Sequence, residues 1–177
     1  KSAGRAGIKS FVVENNTPGM KVIKIEDKMG IRASDTAMIV FEDCRIPADN
    51  VLGDPGVAQT TEGFKGAMAT FDATRPIVAA SALGIGQAAL DMAREELEKR
   101  GVTIRYGLPD SQLTALEADY MQVESDLHAA RLLTWRAAWM MDLGKRNNLE
   151  ASMCKAKAGL AVTRATQKAV EFLGPQG

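Results

Sequence analysis

The strongest constraint in this sequence is a change of hydrophobic period near residue 61. Beyond it, Leu113, Leu116, Tyr120, Val123, Leu127, Ala130, Thr134, Ala137 and Met141 recur at alternating spacings of three and four. That stripe covers one face of a long helix and suits shallow-angle packing against neighbouring helices. Gly144 then supplies a C-terminal stop, and Asn147 to Glu150 has the spacing of a capping box opening the next helix, with Asn in place of Ser or Thr. On that helix Ala151, Cys154, Ala158, Ala161, Ala165, Ala169 and Phe172 share a face whose small residues permit close approach. Upstream, Gly63 to Lys99 reads as one long helix disturbed near Pro76, which lacks a backbone donor. Three long antiparallel helices are one short of a four-helix bundle.

Before residue 61 the signals are those of strands and turns. Ile8 to Glu14, Met20 to Ile25 and Thr36 to Glu42 are short runs rich in apolar residues, punctuated by the turn tripeptide Thr17-Pro18-Gly19 and by Pro47. The expected fold class is α+β: part of an antiparallel β-sheet or barrel, followed by the long antiparallel helices of an incomplete four-helix bundle. The domain division follows, with residues 1–55 in the β part and 61–177 in the helical part. Lys1 to Ser10 has no apolar core of a signal peptide, the chain lacks an initiator Met, and it stops at Gly174-Pro175-Gln176-Gly177 within a turn signal. These ends read as those of a piece of a longer chain.

Composition excludes several classes. The 22 basic residues balance 22 acidic ones, which gives no basic footprint for nucleic acid. The most apolar window, Pro76 to Ala93, is rich in Ala and Gly and interrupted by Gln87 and Asp91, which argues against a membrane span. Cys44 and Cys154 form no CxxC pair and suit two free thiols in a reducing, intracellular setting.

Few residues carry chemistry on their own. His128 is the only histidine and has no carboxylate three residues before it, so no metal site is expected. Gly84-x-Gly86 lies inside an apolar helix, where close packing is a better reading than a phosphate loop. Trp135 and Trp139 read as core or interface anchors, and the charge run Arg94 to Arg100 reads as a solvated helix end with pairs such as Glu95–Lys99. One cluster resists a bland reading: Phe71-Asp72-Ala73-Thr74-Arg75-Pro76 puts an acid, a hydroxyl and a guanidinium within one turn, just before an apolar segment. It is either a helix-surface ion pair or a polar anchor for an anionic or amide-bearing ligand.

The order of several segments adds a resemblance. Residues 28–36 (KMGIRASDT), 40–47 (VFEDCRIP), 50–53 (NVLG), 63–65 (GFK) and 71–93 (FDATRPIVAASALGIGQAALDMA) resemble the acyl-CoA dehydrogenase family, and most of all its medium-chain branch. Ala130-Arg131-Leu132, Asp142-x-Gly144 and Ala151-Ser-Met-x-Lys155 fit as well, so the resemblance covers essentially the whole chain. It implies the second half of that family's middle β-domain and three helices of its C-terminal domain. It further implies an enzyme that oxidises an acyl-CoA thioester to a trans-2-enoyl-CoA, with a carboxylate removing the α-proton and FAD accepting the β-hydride. Electron-transferring flavoprotein would be the acceptor, a homodimer or homotetramer the assembly, and the bacterial cytoplasm or mitochondrial matrix the compartment. Phe71, Asp72, Thr74 and Arg75 would lie along the substrate's pantetheine arm.

Three departures from the family pattern qualify this. The catalytic Glu would lie beyond Gly177, and the alternative position for it holds Thr74, so no residue of this chain is assigned as base. The Arg-x-x-Phe-Gly motif and following Gln, which reach the FAD of the neighbouring subunit, are altered. Gly107 and Gln112 match them in part, and Arg100 or Arg105 would supply the cation for the pyrophosphate. The family's Gly-Gly pair and preceding Gln become Gly174-Pro175 and Glu171, placing a carboxylate near the flavin phosphates. Two alternatives follow: a catalytically silent subunit of a mixed complex, and the same fold used as an acyl-CoA oxidase or flavin monooxygenase.

Overall fold

The tripeptide Thr17-Pro18-Gly19 builds the turn its composition calls for. In the computed structural model, which describes residues 4–53 and 61–177, the Met20 N–H donates to the Thr17 carbonyl at 3.0 Å. Gly19 adopts φ +89°, as the third residue of a type II turn must. A Cβ there would also sit 2.3 Å from the Glu42 carbonyl oxygen, so glycine is required twice over. The turn launches β2 (Met20–Ile25), which pairs antiparallel with β3 (Ala37–Phe41) from Met20↔Phe41 to Ile25↔Ala37, with a register irregularity between Val22 and Lys24. A second ribbon joins β1 (Ser10–Phe11) to β4 (Val51–Leu52), also antiparallel. The strands thus form two separate two-stranded ribbons. Val22, Ile23, Ile25, Met38, Ile39 and Phe41 all remain exposed, so the β2–β3 ribbon has no covered face among the described residues.

The chain forms two compact units, Lys1–Ala67 and Met68–Gly177. The second holds most of α1 (Glu62–Lys99), all of α2 (Ala115–Asp142) and α3 (Asn148–Leu173), and the core sits within it. Pro76 lies inside α1 without ending it; the helix expected to be disturbed there runs through, although the Asp72 carbonyl loses its usual i+4 donor. The chain directions follow from side-chain contacts. Gln87 of α1 accepts from Arg131 of α2 at 2.9 Å, and seven residues further along α1 Arg94 lies over Tyr106, which precedes α2. Asp119 near the start of α2 pairs with Lys168 near the end of α3 at 3.0 Å, while Arg136 reaches Glu150 at the opposite end at 3.7 Å. Successive helices are therefore antiparallel, as the short connections require.

The two apolar stripes read from the sequence meet. From Tyr120 to Ala137 the α2 stripe is buried, and all seven expected α3 positions are buried with it; Leu113 and Leu116 are half-buried and Met141 is exposed at the stripe's ends. Alanines on α3 allow the helices to approach without long side chains between them. Leu83, Leu90, Ala93 and Leu97 of α1 join the same cluster. By length and apolarity alone α1 would suffice to cross a bilayer, a property that core helices share.

Helix ends show where local rules held and where they were displaced. At the end of α2 the Gly144 N–H bonds to the Met141 carbonyl and the Lys145 N–H to that of Met140, both at 2.9 Å. With Gly144 at φ +64° this is a Schellman stop. The capping box expected at Asn147–Glu150 does not form: Asn147 occupies the N-cap position without a side-chain cap. Its Nδ2 instead donates back to the Ala137 carbonyl of α2, 3.0 Å away and buried. A tertiary bond outcompetes the local one because the site is dry and that carbonyl is close. Trp135 and Trp139 are not core residues. They stay about three-fifths exposed, at 63% and 59%, because Thr134 and Ala137 take the inward positions of that turn. In the charge run, Lys99 pairs with Glu96 rather than with Glu95, at 3.6 Å, and Arg94 pairs with Glu98 at 3.3 Å.

Candidate functional site

Positions 72 and 75 lie on one face of α1 because residues three apart on a helix are neighbours. Arg75 Nη1 donates to Asp72 Oδ1 at 2.7 Å, and the two side chains are 32% and 21% exposed. This burial distinguishes the pair from the chain's fully solvated ones, such as Arg32–Asp27. The guanidinium also lies 5.9 Å from the centroid of the exposed Phe71 ring. Thr74 Oγ1 turns back to the Phe71 carbonyl at 3.4 Å. Phe71, Asp72, Thr74 and Arg75 are thus brought together as the sequence suggests, in the form of an ion pair beside an aromatic ring. Val78 and Ile85, seven and fourteen residues past Phe71, continue its stripe along α1 and are also exposed.

The second group of candidates gathers at one end of the helical unit, where α1 and α3 finish and α2 begins. It divides into two clusters. Arg100 turns toward the end of α3: both terminal nitrogens donate to the Leu173 carbonyl at 3.2 Å, and Nη2 donates to Gln176 Oε1 at 2.6 Å. This carbonyl lies in the last turn of α3, where helical acceptors lack partners and a cation is favoured. Gly174, at φ +61°, closes the helix beside it. Glu171 on the same turn pairs with Lys168 at 2.5 Å.

Arg105 is held differently. Its Nε donates to Glu117 Oε1 at 2.6 Å and its Nη2 to Oε2 at 2.8 Å, a two-point contact. The Arg105 backbone N–H adds a third bond to Oε1 at 3.2 Å, and Nη2 also reaches the Gln112 carbonyl at 3.3 Å. The Glu117 side chain is only 3% exposed. Its remaining bonds come from the Thr114 N–H and hydroxyl, both at 2.8 Å, and the Glu117 N–H returns one to Thr114 Oγ1 at 3.2 Å. That completes a capping box at the start of α2. The Arg105 guanidinium foremost, and then the Thr114 N–H, hold the Glu117 carboxyl far below the usual carboxylate range. Nearby, Tyr106 donates to Glu124 at 2.9 Å and lies under Arg94, 5.8 Å from its ring centroid.

Sequence reasoning missed this box, although Thr114-Ala115-Leu116-Glu117 carries its spacing in plain form. It also missed Asp126, which pairs with Lys157 at 2.5 Å and Arg164 at 3.4 Å, where nothing local links residues 31 and 38 positions apart. Among the described residues no three His, Cys, Asp or Glu side chains gather as a metal site, and His128 is exposed.

Residues 61–177 match the family described as acyl-CoA dehydrogenase, C-terminal domain. The chain belongs to the acyl-CoA dehydrogenase family. Among its relatives, the mouse mitochondrial short-chain specific acyl-CoA dehydrogenase is 43% identical over 177 residues, all of this chain and 41% of that protein. The structure of butyryl-CoA dehydrogenase from Megasphaera elsdenii aligns with TM-score 0.82 and 37% identity over 99% of this chain and 44% of that one. A chain from a structure described as the electron transferring flavoprotein of Acidaminococcus fermentans aligns with the same score and identity, over 98% of this chain and 44% of its own. The chain therefore spans less than half the length of these relatives. The mouse relative is named as short-chain specific and the Megasphaera elsdenii structure for butyryl-CoA, whereas the sequence reading favours the medium-chain branch.

Family membership raises the question of a flavin diphosphate at the second cluster. The arrangement does not fit one. Arg105 is matched by a buried carboxylate, Arg100 is turned onto α3 and Glu96, and Glu171 is a carboxylate paired with Lys168 rather than a donor.

Proposed function

We propose that the natural protein carrying this chain is a flavin-dependent acyl-CoA dehydrogenase, oxidising an acyl-CoA thioester to the trans-2-enoyl-CoA. The observation that carries this reading is the match of the whole helical region to the family. The half-buried Asp72–Arg75 pair beside the exposed Phe71 ring supports it. FAD, held elsewhere than at the Arg105 cluster, would supply the hydride acceptor. The residues of this chain contribute substrate binding: Arg75 offers donors, Thr74 a hydroxyl oxygen that can accept, and Phe71 an apolar face, to the amide-rich arm of a CoA thioester. Asp72 holds the guanidinium in place and lowers its net charge, which suits an amide better than a free phosphate. No carboxylate of this chain is assigned as the base. Electron-transferring flavoprotein as acceptor, a homodimeric or homotetrameric assembly, and a bacterial cytoplasmic or mitochondrial matrix location complete the proposal.

The test is visible absorbance of the natural protein during anaerobic addition of acyl-CoAs of graded chain length. A flavin spectrum that bleaches with one chain-length class is expected; a flavin-containing protein that bleaches with none refutes the reading. Oxygen consumption in the same assay would mark an oxidase or monooxygenase. Arg75→Ala should raise KM for the acyl-CoA by about tenfold, the loss expected from one charge-assisted hydrogen bond, while the melting temperature barely moves. Unchanged kinetics would reduce the pair to a surface ion pair.

A second reading, a catalytically silent subunit in a mixed complex, is favoured by the poor fit of the Arg105 cluster to a diphosphate. A colourless protein that still assembles would select it.

A further inference from the structure

The sequence nominates Arg105 as a cation for a flavin pyrophosphate, and the geometry assigns it elsewhere. We propose that Arg105 is a structural clamp, fastening the connection between α1 and α2 onto the first turn of α2 through the buried Glu117, and that it contributes no contact to a flavin diphosphate. The flavin half of this statement rests on the function proposed above; the clamp does not.

Three features carry it. First, the contact is made from both sides of the residue. One carboxylate takes the guanidinium at two points and the Arg105 backbone N–H at a third, so side chain and main chain are fixed together. Nη2 adds the Gln112 carbonyl, tying two points of the connection seven residues apart to one group. Second, Glu117 cannot release Arg105 without consequence. Its side chain is almost wholly buried, and a buried carboxylate stripped of its cation is strongly unfavourable. A diphosphate drawing the Arg105 guanidinium outward would leave Glu117 with the Thr114 N–H and hydroxyl and the Arg105 backbone N–H, and with no cation. Third, the surroundings supply no surplus of positive charge. Arg100 has Glu96 and the Leu173 carbonyl, and Lys168 lies between Asp119 and Glu171. Asp110 adds a further carboxylate on the connection itself.

The experiment compares Arg105→Ala, Glu117→Gln and the double variant in the natural protein, reading melting temperature and the FAD dissociation constant of the apoprotein. A clamp predicts that each single variant lowers the melting temperature and that the double variant loses little more than either, because both remove one interaction. It also predicts FAD affinities for the two single variants within about tenfold of each other, the step that one charge-assisted contact would exceed. A diphosphate ligand predicts the opposite. Arg105→Ala would then weaken FAD by more than about tenfold relative to Glu117→Gln, which liberates the arginine; that result overturns the proposal. Additive losses of melting temperature would overturn the clamp as well. A natural protein that takes up no FAD would remove the function proposed above and leave the thermal cycle to decide the clamp alone.

Discussion

Gly84 and Gly86 offer the sharpest test of how α1 packs. They are two residues apart on one helix and share the same intrinsic penalty relative to alanine, about 1 kcal/mol each. Their surroundings differ. A Cβ on Gly84 would meet nothing within 4 Å, whereas one on Gly86 would lie 3.0 Å from Leu127 Cδ2 and from Val162 Cγ2, and 3.4 Å from Val162 Cα. Gly84→Ala should therefore realise the full helical gain of about 1 kcal/mol. Gly86→Ala should realise less, since Leu127 and Val162 must yield by a few tenths of an ångström. Gly86→Val adds two methyl groups where one carbon is already tight, and overpacking of that kind costs about 1–3 kcal/mol, more than the small propensity gain returns. The measurement is the denaturant midpoint of the natural protein and the three variants at one protein concentration, with slopes checked for constancy. The expected order of stability is Gly84→Ala, then wild type, then Gly86→Val, with Gly86→Ala below Gly84→Ala. A Gly86→Val protein as stable as wild type would mean that α1 does not approach α2 and α3 at this point. The whole account of the helical core would then need revision.

Other expectations follow from the same contacts. Glu117 is held below its ordinary range by Arg105, so its contribution is fully present above about pH 4.3, the unfolded value, and is lost as pH falls through the folded value. The stability difference between wild type and Glu117→Gln should accordingly be flat from neutral pH to about pH 5 and shrink in more acid solution; a difference that grew on acidification would refute the pairing. Asn147→Ala should cost about 1 kcal/mol for a buried hydrogen bond, read by denaturant unfolding. Asn147→Asp should cost more, because a carboxylate would face the Ala137 carbonyl; an Asp variant at least as stable as wild type would restore the capping role. Trp139→Ala should change unfolding of the dissociated subunit by less than about 0.5 kcal/mol, and a loss of several kcal/mol would contradict the exposed ring.

What could be read from the sequence divides by the range of the forces involved. The stripe on α2 and the alanine face of α3 were legible because burial acts on every third or fourth residue, so six buried positions on α2 and seven on α3 repeat one message. The Thr17-Pro18-Gly19 turn and the Gly144 stop were legible because each is set by the φ that a single residue can adopt. Of the two readings of Trp135 and Trp139, the core one fails because phase on the helix outweighs size and apolarity. They lie one and two positions past the inward Thr134 and Ala137, and the helix turns about 100° per residue. Asn147 misled because its local partner, the N–H groups of its own helix, competed with a carbonyl ten residues upstream that only the folded chain brings near.

The candidate site shows the same division with greater consequence. Asp72 and Arg75 are neighbours on any helix, so the sequence alone could place them together and even anticipate both of their readings. Arg100 and Arg105 could not be treated that way. As residue types they are equivalent: each is a cation near the end of α1, and resemblance to a family in which such a cation meets a phosphate favours either. Their fates are decided by partners 73 and 12 positions away, the Leu173 carbonyl and Glu117. An arginine's availability to a ligand depends on whether its counter-charge is already inside the fold. For Arg105 that counter-charge is a carboxylate buried by the capping box it also completes. Arg105 can therefore leave Glu117 only at the expense of the start of α2.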